Sequence, residues 1–172
     1  MVTTMSMSGV REETLNRLVE EHQTALLRLC YLMLRDTSLA EDAVQETFWK
    51  AWQNMMNFRG ESSEKTWLTR IAVNTCRDMR RSAWLRHTDR RVTPEMLPEA
   101  ASAYTPRDEM VTIIVLALPD KLRVPITLYY YQDMTMQEIA DALGLALSTV
   151  HGRIKQAQDK LRQELERRGY HG

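Results

Sequence analysis

Helical periodicity runs through most of this chain and fails over one long stretch, from Arg86 to Asp108, where three of the five prolines (Pro94, Pro98, Pro106) gather beside small residues at Ala100 to Ala103. Such a stretch reads as a flexible linker between two helical halves. Only 6 Gly and 5 Pro occur in 172 residues, too few turn-formers for a sandwich or barrel, while 44% hydrophobic content suffices for compact cores. The expected fold is therefore all-α: two small helical domains, 12–85 and 108–168, joined by the linker 86–107.

Within the first half, Leu15, Leu18, Val19, His22, Leu26, Leu29 and Met33 recur at the spacing of a long amphipathic helix. A second helix starts after Asp36, where Ser38 and Glu41 have the form of a capping box, and buries Ala40, Val44, Phe48 and Ala51. After the break from Asn54 to Ser63, a third is expected from Ser62 or Ser63 to about Ser82, with Leu68, Ala72, Thr75 and Met79 inward. The second half predicts helices near Arg107 to Leu118, Asp120 to Tyr131, Thr135 to Leu143 and Ser148 to Arg168.

The sharpest local signal lies in that second half. Thr135 and Glu138 form a capping box, Gly144 permits a left-handed turn, and Ser148 can cap a longer helix with Val150, Ile154, Ala157, Leu161 and Leu165 inward. Short helix, glycine turn and longer helix make the helix-turn-helix pattern, whose second helix enters the DNA major groove. Its outward face carries Thr149, Arg153, Gln156 and Lys160, flanked by His151 and Lys155. From Ser148 onward six Lys/Arg face three Asp/Glu, although the whole chain is balanced at 23 basic and 23 acidic residues. A solvated helix in a helical pair would carry a similar face, but spacing, glycine and caps together favour DNA.

On the third helix Arg70, Asn74, Arg77 and Arg81 fall at i, i+4, i+7 and i+11, a face suited to phosphates with one amide able to read a base edge. Arg80, Arg86, Arg90 and Arg91 extend the basic run, and Phe58, Trp67 and Trp84 bracket it. Aromatics beside a basic groove can stack on bases of an opened strand, although burial is the commoner fate of a residue like Trp67. The second helix has opposite polarity: Asp42, Gln45, Glu46 and Trp49 share a face the core does not need. That face would repel DNA and suits a basic protein partner; the alternative is a tryptophan wrapped over the domain edge.

Catalysis finds no support in the residues. The histidines His22, His87, His151 and His171 are scattered, no HExxH, CxxC or phosphate loop occurs, and neither a metal, a cofactor nor a small-molecule substrate is expected. Cys30 and Cys76 fit neither a disulfide framework nor a zinc cluster and suggest a reducing cytoplasm. The longest aliphatic run, Ile113 to Leu118, is far short of the roughly 20 residues of a membrane span, and no secretory signal is visible.

Taken together, these segments resemble the extracytoplasmic-function (ECF) group of bacterial RNA polymerase sigma factors, in the sigma-70 family. Asp42-Ala43-Val44-Gln45-Glu46-Thr47-Phe48 is similar to the group's polymerase-docking signature. Phe58-Arg59-Gly60 followed by Thr66 to Asn74 resembles the segment that reads and melts the −10 element. Leu118-Pro119, Glu138-Ile139-Ala140 and Ser148 to Leu161 resemble the −35 reading domain, except that His151 and Gly152 stand where the family commonly has a basic residue and serine.

The resemblance implies a non-enzymatic subunit that brings core RNA polymerase to promoters, the runner-up being a freestanding helix-turn-helix regulator. It implies docking on the clamp helices of the polymerase's largest subunit through Asp42, Gln45, Glu46 and Trp49, and on the flap of the second-largest. It assigns the opened −10 strand to Phe58, Arg59, Trp67, Arg70, Asn74, Arg77, Arg80 and Arg81, and −35 duplex to Ser148, Thr149, His151, Arg153, Lys155 and Lys160. Nothing after Gly169 resembles an appended regulatory domain, so control is expected from a sequestering anti-sigma factor, in this family often membrane-bound, that could hold the chain at the membrane. Whether the free domains stand apart or pack so as to hide their DNA faces is left open by the residues.

Overall fold

The computed structural model describes residues 7–84 and 106–170. The first half holds α1 (Met7–Leu34), α2 (Thr37–Asn54), a 3-10 turn (Met55–Asn57) and α3 (Glu64–Trp84); the second holds α4 (Pro106–Ala117), α5 (Asp120–Tyr131), α6 (Met136–Leu143) and α7 (Leu147–Arg167). No strand occurs among the described residues. Most of the expected linker, with Arg86, Arg90 and Arg91, and the Trp84 side chain lie outside the described residues; Pro106 and Arg107, expected in the linker, already belong to α4.

The apolar stripes read from the sequence are buried: Leu18, Leu26, Leu29 and Met33 of α1, Ala40, Val44, Phe48 and Ala51 of α2, Leu68, Ala72 and Thr75 of α3. Cys30 and Cys76 are buried between α1 and α3, and the Cys30 thiol is pushed up by its contact with Cys76 and by burial. Two expected caps are corrected. Asp36, not Ser38, caps α2: in extended conformation, its carboxylate accepts from the Leu39 N–H at 3.0 Å. An anion there also answers the helix dipole, which a serine two residues further on cannot do. Ser148 lies inside α7, whose N-cap is Ala146 with no side-chain bond; the preceding glycine turn alone sets the entry direction. α3 begins beside Ser63, close to where the sequence places its start, and the Ser63 hydroxyl accepts from the Thr66 N–H at 3.0 Å.

The two halves do not stand apart. α1 packs on α5 and α3 on α6, and buried residues from both halves form one contiguous apolar cluster. Arg35 and Asp133, the two non-glycine residues in left-handed backbone among the described residues (φ 56° and 50°), both sit at this junction. Such backbone costs a side-chain-bearing residue roughly 1–2 kcal/mol, less for Asp. Arg35 leaves α1 and reaches across to donate to the Leu118 carbonyl at 3.0 Å, while Asp133 follows α5 and pairs with Lys65 at 3.4 Å.

Candidate nucleic-acid interface

The helix-turn-helix forms as its sequence predicts. The Thr135 hydroxyl accepts from the Glu138 N–H at 3.2 Å, and the Glu138 carboxylate accepts in return from the Thr135 N–H at 2.9 Å. The Thr135 backbone N–H, with the Thr66 and Thr135 hydroxyls and nearby Arg70, holds the Glu138 carboxyl below the usual range against the opposing effect of burial. Gly144 ends α6 at φ 64°, and the Leu145 N–H closes the turn onto the Ala140 carbonyl at 2.9 Å. α7 then buries Val150, Ile154 and Ala157.

That burial pattern fixes what α7 offers outward. Ser148, His151, Gly152, Lys155, Gln156 and Lys160 are exposed, and Thr149 and Arg153 are half-exposed beside them. A Cβ added to Gly152 would meet nothing within 4 Å, so the fold does not itself demand glycine there. The expected −35 reading residues thus lie together on one open face.

The α3 stripe has a different setting. Asn74 and Arg81 are exposed, but Arg77 donates to the Leu143 carbonyl of α6 at 3.1 Å, and Arg80 is ion-paired with Asp120 at the start of α5. Asp120 also pairs with Arg123, whose side chain is almost fully buried and donates to the Leu118 carbonyl at 2.7 Å. Burial, with Arg35 nearby, lowers the Arg80 pKa. Thr66 donates to Glu138 at 3.0 Å, and the Gln132 amide donates to the Ala25 carbonyl at 3.1 Å. Much of the basic face of α3 is therefore turned toward the second half of the chain, a juxtaposition no local pattern announces.

At the head of α3, Phe58 and Trp67 stack with ring centroids 4.7 Å apart and planes 26° from parallel. Both rings are half-buried and lean on one another, so Trp67 is the floor under the loop rather than a free platform. Arg59 is exposed, and Gly60 turns the chain at φ 71°. On α2, Asp42, Gln45 and Trp49 are exposed, Trp49 at 57%, and Glu46 pairs with Lys50 at 3.6 Å. The acidic tryptophan face expected from the sequence is open.

Glu21, His22 and Glu64 come together near the N-terminus of α3, but Arg17 fills this cluster, donating to Glu21 at 3.1 Å and to both Glu64 carboxylate oxygens at 3.0 and 2.8 Å. These carboxylates already have a cationic partner. Between α4, α5 and α7 lies a groove of about 680 Å³ whose walls include Val115, Ile126, Tyr130, Leu161 and Leu165. No described helix is long and apolar enough to cross a membrane.

Two family models match this chain: Sigma-70 region 2 over residues 18–86 and Sigma-70 region 4 over 115–163. The ECF sigma factor SigL of Mycobacterium tuberculosis is 33% identical over 173 residues, spanning 96% of this chain and 97% of the relative. SigW of Bacillus subtilis is 30% identical, spanning 86% and 87%. Among solved structures, CnrH in complex with the cytosolic domain of CnrY is similar with a TM-score of 0.66 at 28% identity, covering 90% of this chain and 89% of that one. The sigma factor RpoE of Bartonella quintana, solved with the anti-sigma factor NepR, shares the fold at a TM-score of 0.74 and 22% identity, covering 90% and 98%.

A two-part helical chain with an exposed helix-turn-helix face and an open acidic face carrying a tryptophan has the form of a polymerase specificity subunit. The chain belongs to the ECF RNA polymerase sigma factors of the sigma-70 family, non-enzymatic initiation factors that bind core RNA polymerase and direct it to promoters.

Proposed function

We infer that the three surfaces divide the work as follows. Region 2 spans 12–85 and docks on the clamp helices through Asp42, Gln45, Glu46 and Trp49. The clamp would supply the basic groups that such a face needs, and an exposed tryptophan supplies apolar contact area at the centre of an otherwise polar patch. Phe58, Arg59 and Trp67 shape a pocket for a base ejected from the opened −10 strand, with Asn74 beside it and Arg70, Arg77, Arg80 and Arg81 on its phosphates. Ejecting a base costs a few kcal/mol, which stacking and hydrogen bonding in a preformed pocket offset. Region 4 spans 108–168 and reads −35 duplex through Ser148, Thr149, His151, Arg153, Lys155 and Lys160, and its apolar groove takes the polymerase flap. The chemistry of RNA synthesis belongs to the polymerase, and this chain turns over no substrate of its own.

The observation that carries this reading is the pairing, on one chain of this family, of an open acidic tryptophan face with an open basic helix-turn-helix face. A freestanding regulator needs the second and has no use for the first. Two of the similar solved structures hold CnrY and NepR, and by analogy an anti-sigma factor restrains this chain in the cytoplasm or at the inner face of the membrane. Run-off transcription with bacterial core polymerase on a library of promoter fragments is the test. Protein-dependent transcripts sharing two short upstream elements are expected, and Glu46→Arg should abolish them while leaving duplex binding intact. Duplex binding without any such transcript would favour the freestanding regulator.

A further inference from the structure

Amid the residues assigned above to −35 duplex, α7 holds one position that carries no side chain. Gly152 lies in the interior of a helix that runs unbroken from Leu147 to Arg167, where glycine is among the most costly residues. The fold gives no reason for it: its backbone is not left-handed, and an added Cβ would meet nothing within 4 Å. Its place on the helix gives one. At about 100° per residue, Gly152 falls within about 20° of the line diametrically opposite the buried stripe of Val150, Ile154 and Ala157. It is therefore the point of α7 nearest to any duplex the helix meets. Ser148 and Gln156, one turn before and after, are both exposed and stand about 40° to either side. Neither folds back over the gap, since nothing lies within 4 Å of where a Cβ would be. The outward face thus carries a notch, floored by backbone and walled by two polar side chains.

The chemistry of that floor selects what fills it. The N–H and C=O groups around Gly152 are used within the helix, so the floor offers contact to an apolar group and no hydrogen bond to a base edge. Among the four bases, thymine alone projects an apolar group into the major groove, its C5 methyl. We propose that Gly152 is a specificity-determining residue for the −35 element: the notch seats the C5 methyl of one thymine, and this close approach brings the short side chains of Ser148 and Thr149 to the neighbouring base edges. The close fit is confined to this end of the helix. Asp159, exposed and seven residues further along the same line, carries the charge that phosphates repel, so the axis of α7 rises out of the groove before reaching it.

This inference rests on the assignment of α7 to −35 duplex, and moving a methyl group from DNA to protein tests it. The full-length chain with core polymerase selects its −35 element from promoter fragments randomised upstream. Each thymine of that element is then replaced singly by deoxyuridine, which pairs identically and lacks only the methyl. At one position the parent chain should lose about three- to fivefold in affinity, the worth of one buried methyl group. Gly152→Ala, which suits a helix, should bind the thymine duplex more weakly than the parent by at least as much. It should bind the deoxyuridine duplex as well as or better than the thymine one, because the added Cβ takes the space the methyl has left. A selected element without thymine, or a parent indifferent to deoxyuridine at every position, overturns the notch, and so does a Gly152→Ala variant that keeps the parent's preference for thymine. The same comparison on duplex selected by the chain alone keeps the two ideas apart: thymine discrimination relieved by Gly152→Ala, without any polymerase-dependent transcript, leaves the notch standing and sinks the sigma-factor assignment.

Discussion

α3 and α7 are both 21-residue helices with a basic outward stripe, yet they occupy opposite situations in the same molecule. α7 buries Val150, Ile154 and Ala157 against its own half and leaves its charged face to solvent. α3 buries Leu68, Ala72, Val73 and Cys76, and its basic face then meets a second surface, the ends of α5 and α6. A basic stripe in the sequence therefore states what a helix could bind; the rest of the fold decides when it is free to do so.

The largest expected effect removes the platform that α7 stands on. Ile154→Ala should destabilise region 4 by about 2–5 kcal/mol, read as an earlier denaturant transition, and duplex binding should fall with it. A sharper comparison sets arginines against each other. Arg153→Ala should weaken duplex binding by the free chain by about 1–3 kcal/mol, about 5- to 150-fold. Arg77→Ala/Arg80→Ala should leave free-chain affinity for single strands almost unchanged, because those groups are already engaged, and should reduce open-complex formation by the holoenzyme, scored by permanganate reactivity. A loss of single-strand binding in the free double variant would break the contrast.

Smaller effects follow from local geometry. Thr135→Ala removes half of the capping box and should cost about 1 kcal/mol of region 4 stability. Gly152→Ala should raise stability by about 1 kcal/mol, since nothing in the chain opposes a Cβ there. If −35 binding falls while stability rises, the glycine serves close approach to DNA. The smallest effect concerns pH. Glu138 is held below its usual pKa of 4.5, so its contribution to the α6 cap and to Thr66 is present above pH 4.5 and is lost as pH falls through the lower, folded value. Acid unfolding followed by circular dichroism should show a shallower loss below pH 4.5 in Glu138→Gln.

The sequence was most legible where the physics is local. Thr135, Glu138 and Gly144 act within a few residues of each other, and the apolar stripes of α1, α2 and α7 are set by helical spacing alone. Local competition produced the errors: Asp36 out-competed Ser38, and the Gly144 turn left Ser148 without a capping role. The site was legible in residue type but not in availability. Arg77 and Leu143 are 66 residues apart in sequence, Gln132 and Ala25 are 107 apart, and no periodicity reports on such pairs. The left-handed backbones at Arg35 and Asp133 carry no sequence signal either, because neither position is a glycine.

Arginine-selective dicarbonyl labelling of the free chain, followed by mass spectrometry, measures the central contrast directly. Arg59, Arg81 and Arg153 should be modified readily and Arg77 and Arg80, held by the Leu143 carbonyl and Asp120, several-fold more slowly. Equal reactivity of Arg77, Arg80 and Arg153 in the unsubstituted chain would contradict the account.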